Sequence, residues 1–293
     1  PFAAAITAAS ATIGPIIPPS IPLVIFGAIT GTSILQLLLA GLIPGLMMGL
    51  ALMVVTRWIA RRRNYPIQHR QSWREVGKAF IEAFPALMTP VILVGGILLG
   101  VFTPTEAATV AAIYSIVIAM FVYRAMTLRG LYKVFVESSM IVGAIMLVIG
   151  AAAVLSWLFT WLNIPQTLAA SLQNSVSETW MLLILVNLFL LFVGCFLEAN
   201  AALIFTAPLL FPMMEQSGID PVHFGVILVM NLMLGLITPP IGMNMFIVTA
   251  IAKITVPEFV KAIWPFGLIL VVVLLMITFI PQLSLFIPSL AFR

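Results

Sequence analysis

An all-α polytopic membrane fold is what this sequence predicts, and three observations predict it. Hydrophobic residues make up 63% of the 293-residue chain and charged residues only 8%, against roughly a quarter charged in a soluble domain. The apolar runs are about 20 residues long and rich in Leu, Ile, Ala and Met, the length of a membrane-crossing helix rather than of the short alternating strands of a membrane barrel. The charges are clustered: twelve of the thirteen Lys and Arg lie at residues 57–78, at 124–133, and at Lys253 and Lys261. By the positive-inside rule these clusters mark cytoplasmic loops, so the net charge of +4 points to orientation in a bilayer and not to nucleic acid. The single cysteine, Cys195, excludes an intrachain disulfide framework and a cysteine metal cluster.

The elements follow in order. The chain begins without Met inside an apolar run, PFAAAIT, and reads as part of a longer chain. Residues 2–28 form an apolar segment interrupted by GPIIPPSIP, and residues 36–60 form a second that runs inward to RWIARRRN. SWREVGKAFIEAF carries Trp, Phe, Arg and Lys in the pattern of a helix lying along the interface, and is expected to be a horizontal arm. Spans at 86–102 and 105–123, joined through FTPTEAA, have basic residues at both outer ends, so the joint lies on the outer side. A second arm, LRGLYKVFVESS, precedes a span at 140–162. Helices at 180–194 and 199–215, around GCFLEAN, reach only ~25 Å, short of the ~30 Å hydrocarbon core, and predict a re-entrant hairpin opening outward. Residues 222–250 then cross inward to Lys253, and residues 263–287 cross outward.

Sliding the chain by 221 positions pairs Ile6 with Ile227, Gly14 with Gly235, Ile16 with Ile237, Pro18 with Pro239, Pro19 with Pro240 and Pro44 with Pro265. The repeated unit is a broken helix followed by a full span. Five predicted crossings separate the copies, an odd number, so they face opposite ways across the bilayer. Inverted repeats of this kind occur in secondary transporters, where paired discontinuous helices form substrate and ion sites near the midplane. The breaks have a physical reading. In hydrocarbon a freed carbonyl costs several kcal/mol unless something coordinates it. Pro239 and Pro240 release carbonyls around residues 235 and 236, and Thr238 and Asn244 add hard oxygen ligands that suit Na⁺. TIGPIIPPS offers the mirror image with Thr12, Gly14, Ile17 and Ser20.

Three stretches, ASATIGPIIPPSIP, GVFTPTEAATVAAIYS and GIDPVHFGVILVMNLMLGLITPPIGMN, resemble the large membrane subunit of TRAP (tripartite ATP-independent periplasmic) transporters. The likeness covers essentially the whole chain and corresponds to the C-terminal two-thirds of such a subunit. It implies an inverted-repeat elevator transporter of the bacterial inner membrane, driven by Na⁺ and hydrolysing no ATP. It implies two partners, a small membrane subunit and a periplasmic solute-binding protein that delivers an organic anion such as sialic acid or a C4-dicarboxylate, and it puts the C-terminus on the periplasmic side. One Na⁺ site is implied at Gly14, Ile17 and Pro19, completed by serines of an inward-opening hairpin expected ahead of Pro1. The other is implied at Gly194, Gly235, Thr238 and Ile241, mostly through backbone carbonyls. The expected parts are residues 1–60, a broken helix and span; 61–179, arms and scaffold spans; 180–217, the re-entrant hairpin; and 218–293, the second broken helix and span.

The remaining polar residues divide between structure and function. Thr103, Pro104 and Glu106 make a capping box with proline at the first helical position, which accounts for Glu106 better than a proton relay does. Glu198 sits at the hairpin tip, as a cap or a gating carboxylate. Ser10, Asn231 and Asn244 are the candidates for substrate contact, although Asn231, like Asn200, is equally suited to bonding between helices. His69 and His223 are expected in loops, Cys195 in packing, and Trp58, Trp73, Trp161, Trp180 and Trp264 mostly at the membrane interfaces. No Ser/His/Asp set, metal-ligand His pair or glycine-rich phosphate loop is present, so an enzyme is not expected. Two further readings are open: a stand-alone Na⁺/dicarboxylate symporter, and a channel or scaffold that does not transport.

Overall fold

The computed structural model describes residues 1–63, 72–163, 167 and 178–292, and every regular element among them is helical. Among the described residues six helices are long and apolar enough to cross a membrane, and the chain is a multi-pass integral membrane protein. It divides into two compact units, one formed by Pro1–Ile59 with Val148–Arg293 and the other by Ala60–Leu147.

In the first unit both proline-rich stretches break a helix. Helix α1 (Phe2–Ala11) ends before TIGPIIPP, and α2 (Ile21–Thr30) restarts from Ser20, whose hydroxyl accepts from the Leu23 amide at 3.2 Å. Helices α3 (Ile34–Ala40) and α4 (Leu42–Arg62) follow, interrupted at Gly41. Late in the chain the pattern recurs: α10 (Pro221–Gly235), a break over residues 236–242, then α11 (Met243–Ala252) and the long α12 (Val256–Phe279). The Pro18–Pro19 and Pro239–Pro240 bonds are both cis. Helices α8 (Thr179–Phe196) and α9 (Ala199–Gln216) form the hairpin expected around GCFLEAN, and α13 (Gln282–Ala291) closes the unit.

The core is built on α10. Asp220 caps it, accepting from the amides of Val222 and His223 at 2.8 and 3.1 Å, and Pro221 takes the first helical position, where a missing N–H costs nothing. The helix is apolar on nearly every side, and residues 222–235 are all buried, the state expected of such a helix. It packs against α2, α3, α8, α9, α12 and α13. Gly225 admits Phe26 and Leu37, since a Cβ there would lie 2.8 Å from the Phe26 ring and 2.6 Å from Leu37 Cδ2. Phe26 in turn sits edge-on to Phe224 and Phe211, with ring centroids 6.1 and 5.9 Å apart. The broken helices meet half against opposite half: α1 packs on α11, and α2 packs on α10.

The second unit holds α5 (Trp73–Leu98), which packs on α6 (Pro104–Val117), itself continued by a π-helical turn over Ile118–Val122. Capping boxes start both helices, Ser72 with Glu75 and Thr103 with Glu106. The joint is a tight turn with Gly100 at φ 68°. Helix α7 (Leu128–Trp161) follows.

Four expectations are corrected. The first arm and the span after it are one continuous helix, α5, running through Pro85 and Pro90. Proline in a helix interior is tolerated where neighbours satisfy nearby backbone groups. Here the Tyr123 and Tyr114 hydroxyls of the neighbouring helix donate to the carbonyls of Glu82 and Pro85 at 2.6 and 2.9 Å. The second arm and its span are likewise one helix, α7, because nothing between residues 139 and 140 stops it. The last span begins at Val256 and ends at Phe279, not at 263 and 287: Thr255 and Glu258 form a capping box, and Pro281 ends the run. His223 is not in a loop; it lies in the first turn of α10, buried, because the Asp220–Pro221 pair starts the helix ahead of it. His69 lies outside the described residues.

Candidate ion and substrate site

The second break forms where α10 runs into two residues without an N–H. Tight turn bonds close its end, Ile237 N–H to Leu234 O at 3.2 Å and Thr238 N–H to Gly235 O at 3.0 Å. The chain then turns through Gly242 at φ 41°, and the Asn244 amide reaches back to Leu236 O at 3.0 Å. Hairpin and break meet backbone to backbone. A Cβ on Gly235 would stand 2.3 Å from the Gly194 carbonyl carbon, and the Gly242 amide donates to Cys195 O at 3.1 Å. Gly194, Gly235 and the turn that carries Thr238 and Ile241 are therefore brought together. Among the described residues no group donates to the carbonyls of Gly194, Thr238 or Ile241, while that of Gly235 accepts from Thr238. The Thr238 hydroxyl donates to Leu234 O at 2.7 Å, which leaves its lone pairs available.

The first break is built in the same way. Thr12 and Ser20, both buried, donate to the carbonyls of Ala9 and Pro15. Gly41 and Gly45 let the following helices press on it: a Cβ on Gly41 would meet Ile16 O at 2.2 Å, and one on Gly45 would meet Ile17 Cγ1 at 2.3 Å. Among the described residues the carbonyls of Gly14, Ile17 and Pro19 receive no hydrogen bond. Each break thus exposes neutral oxygens of the kind that bind hard cations. Among the described residues no three His, Cys, Asp or Glu side chains gather as metal ligands.

The substrate candidates lie apart in character. Ser10 is exposed and donates to Thr7 O at 3.1 Å, and Asn244 is half-buried at the start of α11. Asn231 is fully buried. Its Nδ2 donates to Asn187 Oδ1 and to Ile227 O, both at 2.8 Å, and its Oδ1 accepts no hydrogen bond among the described residues. Asn187 also donates to Leu183 O and accepts from the Thr278 hydroxyl at 3.3 Å. His223 continues the polar chain, with Nδ1 2.7 Å from Ser284 Oγ and Nε2 3.3 Å from Thr278 O. Asn187, Thr278 and Ser284 were not singled out by the sequence reading, though each is a polar residue inside an apolar run. At the hairpin tip Glu198 caps α9, accepting from the Ala201 amide and from Asn200 Nδ2, both at 2.9 Å. Glu106 is a cap, accepting from the Thr103 amide and hydroxyl at 2.9 and 2.8 Å.

Residues 1–283 match the family described as Tripartite ATP-independent periplasmic transporter, DctM component. The chain belongs to this family of TRAP large permeases. Among its relatives, the sialic acid TRAP transporter large permease protein SiaM of Vibrio cholerae is 41% identical over 99% of this chain and 68% of its own length. The C4-dicarboxylate TRAP transporter large permease protein DctM of Pseudomonas aeruginosa is 41% identical over 98% of this chain and 67% of its own. The 2,3-diketo-L-gulonate TRAP transporter large permease protein YiaN of Escherichia coli K12 is 38% identical over 96% and 66%. The chain spans about two thirds of the length of these TRAP permeases. Their names are those of permeases, not of enzymes.

Proposed function

We propose that this chain is the transport subunit of a Na⁺-driven TRAP symporter that moves an organic anion inward across the bacterial inner membrane by an elevator mechanism. The observation that carries the reading is the pair of proline-broken helices, 221 residues apart, whose carbonyls at Gly14, Ile17, Pro19, Thr238 and Ile241 receive no hydrogen bond among the described residues. Unpaired backbone oxygens inside hydrocarbon cost several kcal/mol each, and a desolvated Na⁺ offsets that cost. The packing of α1 on α11 and of α2 on α10 supports an inverted repeat, since it sets the two broken helices running in opposite senses.

In this reading Gly194, Gly235, Thr238 and Ile241 hold one Na⁺, and Gly14, Ile17 and Pro19 contribute to another. Filling both cages neutralises the converging carbonyl dipoles, so that an anion binds only to the loaded form, near Ser10 or Asn244; Asn231, buried with both amide hydrogens spent, has no donor to offer it. The moving body comprises residues 1–60 and 180–293, and residues 61–179 supply the fixed frame that docks a small membrane subunit. The basic stretches at 57–78 and 124–133 are cytoplasmic and the C-terminus periplasmic. A periplasmic solute-binding protein delivers the anion. The names of the relatives support sialic acid or a C4-dicarboxylate as that anion.

The test is uptake into proteoliposomes holding the full-length permease, the small subunit and the binding protein, with N-acetylneuraminate and succinate as substrates and each ion gradient imposed separately. Accumulation that needs a Na⁺ gradient is expected. Accumulation on a proton gradient alone sinks the sodium mechanism, uptake without the binding protein favours a stand-alone symporter, and equilibration without accumulation indicates a channel.

A further inference from the structure

We infer that Asn187 and Asn231 form a register clamp that positions the hairpin tip against the second break, a role that rests on the ion site proposed above. Asn231 lies one turn before Gly235 on α10, and Asn187 lies two turns before Gly194 on α8. The Asn231 Nδ2 to Asn187 Oδ1 bond of 2.8 Å therefore fixes how far along α10 the arm α8 sits. That register decides whether Gly194 faces Gly235 or a bulkier neighbour, and the fit there tolerates no Cβ on Gly235. Asn187 is itself oriented from both sides, donating to Leu183 O at 2.6 Å and accepting from Thr278 at 3.3 Å. Reversing the Asn231 amide would turn its oxygen on two acceptors, Asn187 Oδ1 and Ile227 O, so its orientation is set as well.

The bond is not there for stability, since an interhelical hydrogen bond in a membrane gains little. Two leucines would pack the same seam, but they would accept several registers, whereas an amide pair accepts one. A buried asparagine sets helix register in coiled coils for the same reason.

The experiment compares the full-length permease in nanodiscs with the Asn187→Leu/Asn231→Leu double variant. Melting temperature is expected to stay level or rise. Deuterium uptake in the peptide spanning residues 236–245, which contains the Gly242 amide bonded to Cys195 O, is expected to increase. The Na⁺ concentration for half-maximal uptake is expected to rise about threefold, the effect of losing one interhelical hydrogen bond's worth of positioning. Asn187→Gln with Asn231 intact lengthens one partner and should give an intermediate effect. Unchanged exchange at residues 236–245 overturns the clamp whatever drives transport, and so does a fall in melting temperature matching a loss of uptake. Increased exchange in a protein whose wild type shows no Na⁺ dependence keeps the clamp and removes the sodium site.

Discussion

The backbone of Gly235 lies against that of Gly194 so closely that a Cβ on Gly235 would fall 2.5 Å from the Gly194 Cα, while a Cβ on Gly194 would stand 3.2 Å from the Gly235 Cα. The contact is unequal. Gly235→Ala is expected to force the hairpin off the break, destabilising the protein by about 1–3 kcal/mol as overpacking does and abolishing uptake. Gly194→Ala should be milder on both counts. Gly267, which among the described residues has nothing within 4 Å of its Cβ position, supplies the neutral control. Melting temperature in detergent and initial uptake rate measure the series.

Thr238 combines a carbonyl that receives no hydrogen bond among the described residues with a hydroxyl whose proton is spent on Leu234 O. Thr238→Val keeps the shape and removes the oxygen. The half-saturating Na⁺ concentration should rise about tenfold with maximal rate nearly unchanged. Proteoliposome uptake across a Na⁺ series decides it, and an unchanged sodium curve removes Thr238 from the site.

At the first break the two tight glycines differ in what they meet. Gly41→Ala would drive a methyl into the Ile16 carbonyl, which is backbone, whereas Gly45→Ala would meet the Ile17 side chain, which can rotate. Gly41→Ala is expected to cost most of the uptake activity and Gly45→Ala only part of it, read as initial rates at matched expression.

His223 ties α10 to α12 and α13 through Thr278 O and Ser284 Oγ. His223→Ala removes both bonds and leaves a cavity, for a loss of about 2–4 kcal/mol. Ser284→Ala removes one bond and should cost about 1 kcal/mol. Thermal denaturation of the two variants should rank them in that order.

Glu106→Gln separates a cap from a proton relay. Glutamine serves the third position of a capping box nearly as well as glutamate, so uptake and its pH profile should not change. Loss of uptake at unchanged melting temperature would make Glu106 part of the transport path.

Much of the fold was legible along the chain because its signals are local. The adjacent prolines at 18–19 and 239–240 had to break helices, and both do. The capping box at Thr103 and Glu106 had to start one. The continuity of α5 is less legible, because Pro85 reads as a helix start while the contacts that hold this part of the helix come from Tyr114 and Tyr123, 29 and 41 residues along the chain from the carbonyls they reach. The place of His223 in a helix is legible too, since Asp220 and Pro221 ahead of it form a cap that starts α10.

What the sequence determined by itself is that this is a multi-pass helical membrane protein of the TRAP permease family, with backbone oxygens released at two paired breaks. Composition, proline spacing and capping residues act over one or two helical turns and need no partner to be read. The Asn187–Asn231 bond and the placing of His223 against Ser284 were decided only by the tertiary structure. Each joins groups dozens of residues apart, and only helix packing sets whether two such groups end 3 Å apart or face lipid on opposite sides.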